Sequence, residues 1–378
     1  MTDHNAAPSI FDYFAELPDP RIDRCKRHEL LDIVVIAICA VICGADTWVE
    51  MEEYGRAKES WLATFLKLPN GIPSHDTFRR VFTRLKPDAF RECFLRWVAA
   101  VQQHTHGEVV AIDGKRLRRS FDGAAGRSAL HLVSAWATAN NLVLGQVAVE
   151  EQSNEITAIP RLLALLEVAG CIVTLDALGC QTAIANQIIE QEADYVLTVK
   201  GNHGVLHEEV RDYFVWARRT GWTEIVHSYG EETEKDHGRI ETRRCWSVAD
   251  VEWLSGRGAW RGLQSIACVE AQRTVVATGE TSVEARYYIS SLASDAKQIG
   301  RAVRAHWRVE NSLHWCLDVA LREDESRIRK DHAPENFALL RHLAVNLLKQ
   351  EKTAKVGVKI KRHKAAWDDA YLLKVLTT

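Results

Sequence analysis

Three carboxylates stand where their neighbours could make them a cation site. Asp113 closes the apolar run Val109-Val110-Ala111-Ile112 and precedes Gly114. That suits an acid projecting from the end of a central strand, although an Asp-Gly hairpin turn has the same sequence. Asp176 repeats the pattern after Cys171-Ile172-Val173-Thr174-Leu175, and two adjacent strands would bring both acids to one end of a sheet. Glu310 falls in a helical stretch with His306, Trp307 and His314 on or near its face. A lone helical glutamate is ordinarily solvated, so its weight comes from its place after a long polar segment. Two Asp and one Glu form the hard-oxygen ligand set that Mg²⁺ accepts, with waters and phosphate oxygens completing the octahedron. Two such ions about 3.5–4 Å apart would activate a water or a 3′-hydroxyl and stabilise the leaving oxygen of an in-line phosphoryl displacement. One site could then cut and join without a nucleophilic Ser, Cys or Lys.

The elements that must position these acids follow from periodicity. VVAIDGKRLR, ALHLVSAWATA and NLVLGQVAVE read as three successive strands with a turn at Asn140-Asn141. EITAIPRLLALLEVAG then reads as a helix, CIVTLDALG as a short buried strand, CQTAIANQIIEQEA as a helix and DYVLTVKGN as a strand. Three meandering strands followed by alternating helix and strand is the order of a ribonuclease H-like sheet. From 201 to about 285 the alternation breaks into a polar segment holding Trp216, Trp222, Trp246, Trp253 and Trp260, which reads as an insertion. Strand character returns in ARYYISSLA, and a helix from near Asp295 carries Glu310. Ahead of the sheet, residues 1–105 are helical in pattern. Within them Phe78, Val81, Phe82 and Leu85 form a buried stripe and leave Arg79, Arg80, Arg84 and Lys86 mostly outside it. That helix could enter a DNA groove or simply pack.

Formal net charge is −3, so a nucleic-acid partner must be argued from where the cations sit. Lys115, Arg116, Arg118 and Arg119 follow the first acid, Lys200 follows the last short strand, and 349–364 holds six Lys and one Arg against Glu351. Each run also reads as a solvated face; the position of Lys115 to Arg119 and of Lys200 beside the acids favours phosphate contacts. Nine cysteines without a Cys-x-x-Cys pair and no secretory signal lead to an expectation of reduced thiols in the cytoplasm. The apolar stretch Ile33 to Ala45 is shorter than the roughly 20 residues a membrane span needs, so it reads as a buried helix and no membrane partner is expected. His104-x-His106 and His203-x3-His207 lack a third ligand, which argues against zinc. Hydrolase and NTPase motifs are missing.

Taken in order, LPDPR, AIDGK, SNEITAIP, TLDALGCQ, DYVLTVKGNH, HGR, RYYISSL and HWRVENSLHWCLDV followed by ED resemble the DDE transposases of bacterial insertion sequences, in the ISAs-type branch with the H-repeat-associated proteins. The resemblance runs from about Phe11 to Leu348. It implies an α/β chain: a helical N-terminal module over 1–105 that binds DNA ends, a ribonuclease H-like mixed sheet over 106–348 with a β-rich insertion at about 201–285, and a basic segment over 349–378. It implies Asp113, Asp176 and Glu310 as catalytic metal ligands, two Mg²⁺ ions with Mn²⁺ as substitute, and double-stranded DNA as partner, both terminal inverted repeats and target. A homodimer on that DNA, within the bacterial nucleoid, is expected. The alternatives are an immobile DNA-binding relative and a nuclease without strand transfer. In one respect the chain departs from related transposases, which often carry Tyr-x2-Arg-x3-Glu-x6-Lys around the last acid. Here Val303, His306 and Leu317 hold the partner positions, with Arg304, Arg308 and His306 as candidate substitutes. One tryptophan of the insertion could stack an extruded base, though core packing explains most of them.

Overall fold

The computed structural model describes residues 10–102, 106–123, 126–151, 153–236 and 238–377; His104 and His237 lie outside them. The centre is β1, Val109–Arg116, whose apolar first half is buried on both faces. It pairs antiparallel with β2, His131–Ala137, and parallel with β4, Ile172–Leu175. β2 returns to β3, Leu142–Ala148, through a turn in which Asn141 adopts a positive φ of 54°, a conformation asparagine tolerates better than most residues. β5, Asp194–Val199, lies parallel to β4. The crossovers are the helices α7, Glu155–Leu163, and α8, Thr182–Glu190, as parallel pairing requires.

The segment after β5 holds a helix, α9, Val205–Arg219, and then a four-strand antiparallel meander: β6, His227–Asp236; β7, Arg239–Val248; β8, Ser265–Val275; β9, Thr281–Ser290. These strands make no separate sheet. β9 pairs antiparallel with β5, giving one nine-stranded mixed sheet in the order β3-β2-β1-β4-β5-β9-β8-β7-β6. Its last strand starts before the expected boundary near 285, because Thr281 to Glu284 extend the meander beyond the part that β5 can pair. Most of the segment's tryptophans pack: Trp222 stacks on Trp246 and Trp253 on Tyr213.

The helical region forms α1, Ile10–Phe14; α2, Leu30–Cys43; α3, Trp48–Ala57; α4, Glu59–Leu62; α5, His75–Arg84; and α6, Pro87–Val101. α2 is apolar on nearly every face and buried throughout, as a helix enclosed by others must be. Gly44 ends it at φ 119°. No single helix among the described residues is long and apolar enough to cross a membrane. α2 packs on α12, Ala333–Gln350, an almost wholly buried helix that also backs the sheet edge. There Asn346 supplies both polar atoms of its amide to the backbone of Val143 in β3, at 2.8 and 2.9 Å, and so blunts an otherwise open edge. One buried apolar cluster runs from α2 through α12 to β1–β5, so the helical region and the sheet share a core.

Most cations of the basic segment after Lys349, among them Lys352, Lys355, Lys359 and Lys364, lie on an exposed face, as a solvated run would. The segment folds into α13, Val358–Trp367, and α14, Asp369–Leu376, and two of its cations are buried. Lys361 donates to the Leu348 carbonyl at 2.8 Å. Arg362 donates to Val41 at 2.8 Å and also to Ala320, capping two helix ends at once.

Candidate active site

Parallel register aligns the two aspartates. Ala111 pairs with Thr174 and Ile112 with Leu175, so Asp113 and Asp176 are the next residues on neighbouring strands. The Asp113-Gly114 pair is no hairpin turn. It sits inside β1 opposite Ser134 and Val133, and a Cβ on Gly114 would collide with the Glu155 carboxylate. Asp113 Oδ1 accepts the Gly114 N–H at 2.9 Å. Asp176 Oδ1 accepts Leu178 and Gly179 N–H groups at 2.9 and 3.2 Å, which anchors the loop into α8.

Glu310 arrives from above. α10, Ala296–Val309, begins at the Asp295 cap and packs across β1, β4 and β5. It continues as a single π-helical turn, Glu310–His314, and then as α11, Trp315–Leu321. This turn brings Glu310 and His314 to Asp113: His314 Nδ1 lies 3.5 Å from Glu310 Oε2 and 3.7 Å from Asp113 Oδ2. One donor atom from each of the three residues falls within 4.8 Å of the others. Asp176 stands beside this group and not within it. His306, one turn earlier, is engaged elsewhere, its Nδ1 lying 3.0 Å from Thr174 Oγ1.

Electrostatics separate the two nearest acids. Burial pushes the Asp113 carboxyl up to about 7; the nearby His314 opposes that shift, while Glu310 and Asp176 add to it. Glu310 is more exposed, and the His314 ring holds it below the usual carboxylate range.

The cations read as phosphate contacts divide. Lys115 does not face open solvent. Its ammonium is buried against Glu323 Oε2 at 2.7 Å and Asp318 Oδ1 at 2.5 Å, so its charge is already answered within the protein. No local pattern marks this pairing, because its partners are remote in sequence. Arg116, Arg118, Arg119, Lys200 and Arg308 are exposed; Arg118 Nε reaches Asp324 at 3.2 Å. Arg304 donates to Glu234 at 3.0 Å, and it lines a cavity of about 790 Å³ between α10 and β6–β9 that opens onto Glu310. In that cavity the Arg286 guanidinium lies 4.0 Å over the Trp307 ring. The sequence marks the aromatic end of β9 but not that it meets α10. His203 Nε2 lies 2.8 Å from the Cys180 carbonyl.

The family described as "Transposase DDE domain" matches residues 104–347. The chain belongs to the DDE transposases. A second family, described as "DDE_Tnp_1-associated", matches residues 11–98 of this transposase, the helical region. "Putative transposase YncI" of Escherichia coli O157:H7 is 42% identical over 377 residues, covering 98% of this chain and 95% of the relative. "H repeat-associated putative transposase YhhI" of Escherichia coli K12 is 40% identical over 371 residues, covering 97% of each. Membership in the DDE transposases implies a ribonuclease H-like arrangement for β1–β5, DNA as substrate and a divalent metal in the reaction.

Proposed function

We propose that this transposase cleaves DNA at the ends of a mobile element and joins them to a target through Asp113, Asp176 and Glu310. The observation that carries the reading is the β1–β4 register, which puts both aspartates at one strand edge where the turn after α10 adds Glu310. The donor set fits a divalent cation: clustered carboxylate oxygens, one of them on an acid whose burial and acidic neighbours make it a poor anion without a counter-charge. Magnesium, or manganese in its place, would supply Lewis-acid activation of the attacking and leaving oxygens as a two-ion pair.

The residues around the acids would bind and orient the DNA. Arg116, Arg118, Arg119 and Lys200 project near the strand ends, and Arg308 lies beside Glu310, all suited to phosphate oxygens. Arg304 serves better as a wall of the α10 cavity than as a free phosphate contact. The 201–285 segment acts as an inserted β-rich subdomain whose strands prolong the sheet and form that cavity. Residues 1–105 act as the end-binding module. In their favour, Arg80, Arg84 and Lys86 are exposed on or just after α5, and Arg79 shares a groove with Arg322, Arg327, Arg329 and Lys330. Cations from both regions therefore meet in one place. Terminal inverted repeats and target duplex are the partners in this reading, and a homodimer would hold the two ends.

The test uses full-length protein with uncut and, separately, precut element ends and a supercoiled target in Mg²⁺. Joined products that vanish with chelator support the reading. Cleavage without joining would make this chain a nuclease, and sequence-selective binding without either reaction would make it an immobile relative.

A further inference from the structure

We propose that His314 is a nitrogen ligand of one of the two cations, so that the two cation positions differ in chemistry: one takes Asp113, Glu310 and His314, the other an all-oxygen set formed by Asp113 and Asp176. The inference rests on the carboxylate reading above and adds to it a residue from outside the acid triad.

Geometry separates a ligand from a hydrogen-bonded imidazole. A ring nitrogen that donates to a carboxylate approaches to about 2.7–2.9 Å. The His314 Nδ1 distances of 3.5 and 3.7 Å exceed that for both carboxylates at once. Donor atoms around one octahedral cation with bonds near 2.1 Å stand roughly 3.0 Å apart when adjacent and 4.2 Å apart when opposite. Both observed spacings lie between those two values, so the donors stand near a coordinating arrangement and would close on an ion with small side-chain shifts. The His314 side chain is only 9% exposed and therefore held in place.

The backbone contributes to this arrangement. At Glu310 the helix widens, with the Trp315 N–H donating to the Glu310 carbonyl, an i→i+5 bond in place of the usual i→i+4 bond. That widened turn carries both side chains, and a π-turn inside an α-helix tends to mark a functional position. The other histidine of the helix, His306, spends its Nδ1 on Thr174, which makes it the natural control.

The donor types set the metal preference. An imidazole nitrogen suits Mn²⁺, Co²⁺ and Zn²⁺ better than Mg²⁺, which holds mainly to oxygen. The position containing His314 should therefore bind Mn²⁺ more tightly than Mg²⁺. The Asp176 side should show no comparable selectivity.

The experiment is pulsed electron paramagnetic resonance on metal-stripped, full-length protein loaded with one equivalent of Mn²⁺. Wild type and His306→Gln are expected to show ¹⁴N coupling of a directly bound imidazole. His314→Gln should lose that coupling and bind Mn²⁺ at least about tenfold more weakly. Bound Mn²⁺ without nitrogen coupling in wild type, or coupling that persists in His314→Gln, overturns the assignment and leaves the carboxylate site standing. Failure of wild type to bind Mn²⁺ at all overturns both. Should His314→Gln misfold by circular dichroism, wild type and His306→Gln still decide the matter: coupling kept in both supports His314, and coupling lost in His306→Gln overturns it.

Discussion

Lys115 on β1 donates to Glu323 across 2.7 Å of protein interior, and this pair joins the strand bearing Asp113 to the far end of the helix bearing Glu310. Glu323 is 1% exposed, so its charge depends on that ammonium, with Arg341 as a further positive neighbour. Lys115→Met should cost about 3–5 kcal/mol, the usual penalty for stranding one member of a buried pair. Urea unfolding measures it, and the double variant Lys115→Met/Glu323→Leu should recover part of the loss. A phosphate contact would behave differently: removing it would lower the salt slope of DNA binding by about 1. The slope should stay unchanged in the folded double variant Lys115→Met/Glu323→Leu.

The acids should act as one unit. Asp113→Asn, Asp176→Asn and Glu310→Gln each preserve size and remove a charge, so cleavage should fall by at least about 100-fold while DNA binding persists. Combining them should add little further loss. Asp324→Asn, on the 3₁₀ turn Glu323–Glu325 beyond α11, should remain substantially active. An active Glu310→Gln beside an inactive Asp324→Asn would move the third carboxylate downstream.

Cation binding should register as stability. Burial and neighbouring acids disfavour the Asp113 anion, and a ligand that binds only the folded state raises its melting temperature. Thermal melts in millimolar Mn²⁺ should therefore rise for wild type and stay flat for Asp113→Asn. An equal rise in both would remove Asp113 from the site.

Acid should weaken the fold through His342 on α12. Burial pushes its ring down to about 4 from an ordinary 6.5. The unfolded chain binds a proton that the folded chain refuses, so this contribution is whole above about pH 6.5 and is lost as pH falls towards 4. The full loss is roughly 3 kcal/mol. His306 is shifted in the same direction, so His342→Gln should remove only part of the slope between pH 7 and 5. Parallel slopes in variant and wild type would disprove the assignment.

End recognition is better tested on the surface than by truncation. Deleting residues 1–105 would strip α2 from α12 and α6 from β3, exposing a shared core, and aggregation is the expected outcome. Replacing Arg80 and Arg84 with Gln leaves the buried stripe intact. Gel shifts should then show loss of preference for element ends over unrelated DNA, and an unchanged preference would exclude α5 as the reader.

The sequence alone determined the local elements, because their signals are local. Apolar runs at Val109–Ile112 and Ile172–Leu175 specify buried strands, the Asn140-Asn141 turn closes β2 on β3, and the stripe Phe78, Val81, Phe82 and Leu85 is buried as its spacing requires. The two aspartates were legible for the same reason, each closing an apolar run whose neighbouring strand could be deduced from order, although Asp113 lies within β1 and not at its end. Tertiary structure decided what depended on distant packing. Glu310 reaches Asp113 only because α10 packs across the sheet, over β1 and β4 among others, and then widens into a π-turn, which no periodicity announces. Two members of the basic runs are buried for a related reason: charge in a sequence says nothing of whether a carboxylate or carbonyl from elsewhere will meet it. Lys115 found Glu323, and Arg362 found the ends of two helices. Burial of a cation is a property of the assembled fold, since only there does it become known whether desolvation is offset by a partner.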